Sequence, residues 1–243
     1  MLQALIFDVD GTLAETERDG HRNAFNAAFR EAGLPFEWDE KMYGELLKVT
    51  GGKERIRFFL EHCDMCPKLS DHEIRVLHQR KTELYTAWLE TGDWVLRPGI
   101  ARLIREARAE GLKLAVATTT TQDNVEALLK HAGLLDAFDI IGAGDIVPKK
   151  KPAPDIYLWV LEQLGINQKE AIAFEDSENG LKAARAAALR VIVTPSFYTR
   201  EEHFDGAWAV LSDLGELDKP ARDLLTGQHV IVHTSWLRRG LTQ

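Results

Sequence analysis

Ala4-Leu5-Ile6-Phe7 is a continuous apolar run without the alternation of a half-exposed strand, and it predicts a strand buried on both faces of a parallel sheet. Further on the period changes. Phe25, Ala28, Phe29 and Ala32 fall at helical spacing, and Gly33 and Pro35 close that helix. Two more helical stripes run through Ile56, Phe59 and Leu60, and through Ile74, Leu77, Leu84 and Trp88. Residues 16–92 therefore predict an all-helical insert with a core of its own.

From Arg97-Pro98-Gly99 onward, strands and helices alternate. Ile100, Leu103, Ile104 and Ala107 form a helical stripe closed by Gly111, and Lys113 to Thr118 reads as a buried strand. Then come a helix through Val125, Leu128, Leu129 and Ala132, a strand over Phe138 to Ile141, and a helix over Ile156 to Leu164. A strand over Ala171 to Phe174, a helix over Leu181 to Ala188 and a strand over Val191 to Val193 complete the series. Strands alternating with single helices imply right-handed crossovers and a parallel sheet. The expected fold is α/β, a Rossmann-like doubly wound sheet of five strands. Residues 1–15 and 93–218 form its core, and 16–92 interrupt it. The stretch 219–243 holds Val230-Ile231-Val232 and Trp236-Leu237-Arg238-Arg239 without a periodic partner, and receives no assignment.

With 45% hydrophobic residues in 243, the chain has enough apolar material for a sizeable core. It has neither a membrane-length apolar run nor a secretory leader pattern, so a soluble, cytoplasmic monomer is expected. A net charge of −8 argues against a nucleic-acid partner. Cys63 and Cys66 form a single CxxC, and with His72 and His78 they match no standard zinc spacing. They read as two reduced thiols in a loop of the insert.

The candidate chemistry sits at strand ends. Asp8-Val9-Asp10-Gly11-Thr12 follows the first strand, and Gly11 lets the chain turn so that Asp8 and Asp10 meet different surroundings. The next strand ends in Thr118-Thr119-Thr120-Thr121, whose hydroxyl and backbone N–H groups at a helix start suit phosphoryl oxygens or a simple cap. Lys149-Lys150-Lys151-Pro152 offers point charge to phosphate or to solvent. Glu175-Asp176-Ser177 closes a further strand, where oxygen ligands converging from separate strand ends fit Mg2+.

This order, DxDGT, then Thr after an apolar strand, then Lys-Pro, then Glu-Asp, resembles the haloacid dehalogenase superfamily of phosphohydrolases over residues 1–200. The resemblance implies that Asp8 is a nucleophile forming an aspartyl phosphate and that Asp10 is the general acid and base. It implies that Thr118 and Lys151 hold the phosphoryl group. Asp8, the Asp10 carbonyl and Asp176 bind Mg2+, with Glu175 helping through water. The helical insert resembles the family's C1-type cap. The second Asp argues against dehalogenation, since the members that attack carbon lack it.

Within the superfamily the likeness is to the CbbY group, carried by DVDGTLAETE (8–17), TGGKERI (50–56), RPGI (97–100), AVATTT (115–120), KKPAPDIY (150–157), AFEDS (173–177) and FYTR (197–200). It implies dephosphorylation of xylulose-1,5-bisphosphate, an inhibitor of Rubisco, to xylulose-5-phosphate. A bisphosphate needs a second anion site. Lys53, Arg55, Lys81 and Arg97 are the basic candidates, Arg200 lies in FYTR, and Thr119 and Thr120 flank the phosphoryl site. Glu17 and His21 are candidates for sugar hydroxyls, in a segment one residue longer than the family's ETExxH spacing. A phosphosugar mutase of the β-phosphoglucomutase type, a broad sugar-phosphate phosphatase and a non-catalytic phosphate sensor are the alternatives. A nucleotide-cofactor enzyme is disfavoured, because Gly142-Ala143-Gly144 lacks the third glycine of GxGxxG.

Overall fold

The computed structural model describes residues 1–241. Strand β1 (Ala4–Phe7) leads through the loop of residues 8–16 into a π-helical turn (Glu17–His21), then α1 (Arg22–Glu31), α2 (Glu40–Leu46), α3 (Gly52–Glu61) and the long α4 (Asp71–Thr91). The chain continues through α5 (Ile100–Ala109), β2 (Lys113–Ala117), α6 (Gln122–His131), β3 (Ile140–Gly142), α7 (Asp155–Leu164), β4 (Ala171–Glu175) and α8 (Glu178–Ala186). It ends with β5 (Arg190–Val193), β6 (Ala209–Val210), β7 (Ala221–Arg222), β8 (His229–Val230) and α9 (Thr234–Leu241).

The main sheet is parallel, with spatial order β3-β2-β1-β4-β5-β6. Alternate residues of β1 face opposite layers. Leu5 and Phe7 pack with Leu103, Ile104, Leu128 and Phe174 on one face. Ala4 and Ile6 pack with Tyr157, Val160, Leu181 and Ala184 on the other. Phe7 lies level with Val116 of β2 and Phe174 of β4, so Asp8 emerges beside the ends of both neighbours. Successive crossovers leave β1 in opposite directions at this point, where open α/β sheets form their ligand crevice.

Helices α1 to α4 enclose a separate apolar cluster of Phe25, Phe29, Trp38, Tyr43, Ile56 and Leu77. Tyr85 and Leu89 of α4 belong to the main core instead, which ties the helical layer to the sheet. A capping box at Ser70 and Glu73 fixes the start of α4.

Four expectations are corrected. The sheet has a sixth strand, β6, too short for any periodic signal. The third strand starts at Ile140 rather than Phe138, because a 3-10 turn over Leu135–Ala137 precedes it and the Asp139 carboxylate accepts from the Leu114 N–H. Cys63 and Cys66 are joined in a disulfide rather than kept as thiols. The turn closed by the Cys66 N–H on the Cys63 carbonyl brings their Cα atoms to 5.3 Å, within bridging reach. The unassigned tail forms the β7–β8 hairpin and α9, with Val232 and Leu237 fully buried against the main core. Thr234 fixes that helix by donating to Glu106 and Glu110.

Candidate active site

The strand ends and the helical layer enclose a cavity of about 310 Å3. Asp8, Asp10, Thr118, Thr119, Thr120, Lys151 and Asp176 line its core side. Glu17, His21, Lys53, Arg55 and Lys81 line it from the helices.

On the floor, Lys151 Nζ donates to Asp8 Oδ1 at 2.7 Å, to Glu175 Oε1 at 2.6 Å and to the Ala117 carbonyl at 2.8 Å. Tyr157 also donates to Glu175 Oε1, whereas Glu175 Oε2 is buried with no hydrogen-bond partner. Asp176 is held through its backbone, whose carbonyl accepts from Thr199 Oγ1 at 2.6 Å. Gly11 has φ +82, and a Cβ there would sit 2.2 Å from Asp176 Oδ2, so only glycine lets the two loops approach.

Three carboxylates therefore face one ammonium. Burial, with Glu175 adding repulsion, pushes Asp8 up to about 7 despite Lys151. Burial, then the charges of Asp8 and Glu175, push Asp176 well above the usual carboxylate range. The buried ammonium of Lys151 is nevertheless held above its ordinary value by Asp8 and Glu175. Asp8, Glu175 and Asp176 each offer one carboxylate oxygen, all within 4.8 Å of one another. An all-oxygen, electron-rich cluster with an orphaned buried oxygen fits a hard divalent cation.

Asp10 faces the other way. Its Oδ1 lies 2.8 Å from His21 Nε2 and accepts from Thr16 Oγ1 at 2.6 Å and Tyr85 OH at 3.3 Å. Burial alone would raise its pKa, but His21 and Thr16 outweigh it and hold the carboxyl down to about 2. His21 stacks on Tyr85, and its Nδ1 lies 2.5 Å from Lys81 Nζ. With Lys81 donating to Nδ1, Nε2 is the N–H side of the ring, close to Asp10 without hydrogen-bond geometry to it. Lys81 is itself drawn down to about 8 by burial, against the pull of Glu17 and Asp10.

Toward the helices, Tyr43 OH donates to Glu17 Oε2 at 2.5 Å and receives from Arg55 Nη1 at 3.0 Å. Lys53 pairs with Asp145 on the loop after β3, and Lys150 pairs with Asp145 at 2.9 Å and with Glu54 at 3.4 Å. Thr118 directly follows β2, and Thr120 precedes the Thr121 cap of α6, where its Oγ1 accepts from Asn124.

Three candidates lie off the cavity wall. Arg97 does not line the cavity; its guanidinium is buried and donates to the carbonyls of Gly11, Thr194, Pro195 and Ser212. It clamps loops together, and its Nε faces Glu15 at 3.8 Å rather than the cavity. Arg200 stacks over the Phe197 ring and donates to the Phe197 carbonyl, outside the cavity. Glu175 also stays off the cavity wall, with one oxygen committed to Lys151.

The cavity also holds residues that the sequence pattern did not single out as site residues. His78 lies three residues before Lys81 on α4, and that spacing was the available signal. Asp145 and Asn179 had none, because a loop and the first turn of α8, far apart in the chain, bring them to the mouth.

The chain matches the haloacid dehalogenase-like hydrolase family over residues 2–188. It belongs to that family. This haloacid dehalogenase-like hydrolase is 50% identical over 220 residues to Protein CbbY of Cereibacter sphaeroides, covering 89% of this chain and 94% of that protein. A crystal structure of CbbY from Rhodobacter sphaeroides in complex with phosphate superposes with a TM-score of 0.84 at 50% identity, covering 90% of this chain and 98% of that one. A second structure, of a CbbY variant in complex with xylulose-(1,5)bisphosphate, gives the same TM-score at 49% identity and the same coverage.

Proposed function

We propose that this hydrolase is a Mg2+-dependent sugar-bisphosphate phosphatase that converts xylulose-1,5-bisphosphate to xylulose-5-phosphate. The observation that carries the reading is the pairing of Asp8 with Lys151 on the floor of a cavity whose opposite wall holds Lys53, Arg55 and Lys81. One phosphate fits the floor and the other fits the basic wall. The CbbY relative crystallised with xylulose-(1,5)bisphosphate supports that substrate. In this reading residues 16–92 act as a cap over the core.

Asp8, Glu175 and Asp176 would hold the cation, which when bound would supply positive charge against the phosphate that the Asp8 carboxylate must approach. A carboxylate Oδ of Asp8 attacks phosphorus in line, forming an aspartyl phosphate and releasing the sugar oxygen. Lys151 stabilises the charge that builds on the equatorial oxygens, and Thr118 with the N–H groups at the start of α6 orients them. As the general acid and base, Asp10 must first take up a proton against the hold of His21 and Thr16 before it can give one to the departing oxygen, and in its ionised form it takes a proton from the water that cleaves the acyl phosphate. The contacts of Thr16, His21 and Tyr85 hold its carboxyl aimed for both steps.

The test is Mg2+-dependent phosphate release from xylulose-1,5-bisphosphate, its ribulose epimer, β-glucose-1-phosphate and simple monophosphates, with Asp8→Asn as control. Preference for the xylulose bisphosphate is expected. Isomerisation of β-glucose-1-phosphate without release would replace the reading with a mutase. Turnover by Asp8→Asn would overturn the nucleophile.

A further inference from the structure

The segment that brings His21 to Asp10 is wound as a π-turn. The His21 N–H donates to the Thr16 carbonyl at 2.9 Å and the Arg22 N–H to the Glu17 carbonyl, both five residues apart. From Arg22 the chain continues as α1. A π-turn is an α-turn holding one extra residue, and it persists where something outside the helix favours it. Here the outside contact is α4. Gly20 is buried against it, and a Cβ at Gly20 would sit 2.5 Å from Trp88 Cζ3 and 2.9 Å from Tyr85 Cε2. Tyr85 is the ring on which His21 stacks, at 3.8 Å between centroids, and its hydroxyl donates to Asp10.

We infer that Gly20 is the extra residue of this turn and a positioning residue for the acid–base group, acting through Tyr85 and His21 on Asp10. At both ends of the turn a side chain is anchored to the site: Thr16 to Asp10, and His21 to Asp10 and Lys81. The surplus residue must bulge between these anchors, and it bulges into the wall formed by α4. Only a residue without a side chain fits there. A side chain at position 20 pushes the π-turn off α4 and separates His21 from Tyr85. Removing the residue relaxes the turn to an ordinary α-turn between the same anchors. Gly20 touches no substrate, so its effect falls on the proton-transfer step rather than on capture.

The inference rests on the proposed role of Asp10, which is checked first. An inert wild-type chain, or Asp10→Asn that turns over, defeats that reading and leaves the turn's packing a separate matter. On an active enzyme, Gly20→Ala is expected to lower kcat about tenfold to a hundredfold, the scale of a small misplacement near the chemistry. KM should stay within about threefold, and the limbs of the pH–kcat profile should move. Deletion of Gly20 is expected to keep kcat within about threefold of wild type. Wild-type kcat and pH profile in a folded Gly20→Ala chain would overturn the inference. Should Gly20→Ala fail to fold, the deletion variant decides: retained kcat supports the inference, and a folded but slow deletion variant refutes it.

Discussion

Lys53 on α3 and Asp145 on the loop after β3 form an ion pair across the mouth of the cavity, joining the helical layer to the core. Lys150 bonds the same carboxylate and reaches Glu54, so charges from both layers alternate around the opening.

This pairing keeps Lys53 partly neutralised before any anion arrives. The hydrogen bond from Lys53, helped by Lys150, holds the Asp145 carboxyl down to about 2, so it stays ionised at every working pH. Asp145→Asn frees the ammonium, and KM for a bisphosphate is expected to fall about two- to fivefold at low salt, because the pair is partly exposed and worth about 1 kcal/mol or less. Steady-state kinetics at two ionic strengths checks this. A raised KM would mean that Asp145 itself positions the substrate.

Lys151 is the cation bonded directly to both Asp8 and Glu175 in the floor. Lys151→Met leaves buried carboxylates without a partner. Stability is expected to drop by about 3–5 kcal/mol. The kcat should fall by about a hundredfold or more, since a charge preorganised for the transition state is gone. Denaturant unfolding and single-turnover kinetics measure the two losses separately.

The ammonium of Lys81 is drawn down to about 8 by burial. Below that pH the cation holds His21 Nδ1, and above it the charge is lost. An alkaline limb in kcat with an apparent pKa near 8 is expected, and Lys81→Met should remove the limb while lowering the plateau. A limb unchanged in that variant would assign the titration to another group.

Metal uptake is expected to release protons. Without a cation, burial raises Asp8 to about 7, so it carries a proton at pH 6, and holds Asp176 well above its ordinary value, so it binds protons more readily than a free carboxylate. Binding of Mg2+ must displace them. Calorimetry in two buffers of different ionisation enthalpy should show proton release at pH 6, and the Kd should fall between pH 6 and 8. No pH dependence would place the metal away from Asp8 and Asp176.

Asp10 ties stability to pH in the opposite sense. Its folded pKa, about 2, lies below the ordinary 3.8, so the stabilisation it contributes is complete above pH 4 and is lost as pH falls toward 2. Acid unfolding of Asp10→Asn should lack that component between pH 4 and 2. An identical acid transition in the variant would show that the carboxylate gains nothing from His21 and Thr16.

The sequence by itself determined the class of the fold and the main acids of the site. The run Ala4–Phe7 and the helical stripes report which faces are buried, because that periodicity follows from local backbone geometry. A strand followed by Asp8 and Asp10 brings both to the crevice edge once it lies in a parallel sheet. Only the tertiary structure decided the partners. Asp8 and Lys151 lie 143 residues apart, and Arg97 faces carbonyls contributed by residues about a hundred positions away. Nothing in RPGI separates an arginine that binds phosphate from one that clamps loops. The difference lies in how many carbonyls converge on it, and that is set by packing. The same holds for β6, a two-residue strand made by its neighbour β5, and for Cys63 and Cys66, brought together by a turn. Local pattern encodes which side of an element is buried. The element that meets it, and so the charge beside each acid, is decided when distant segments pack.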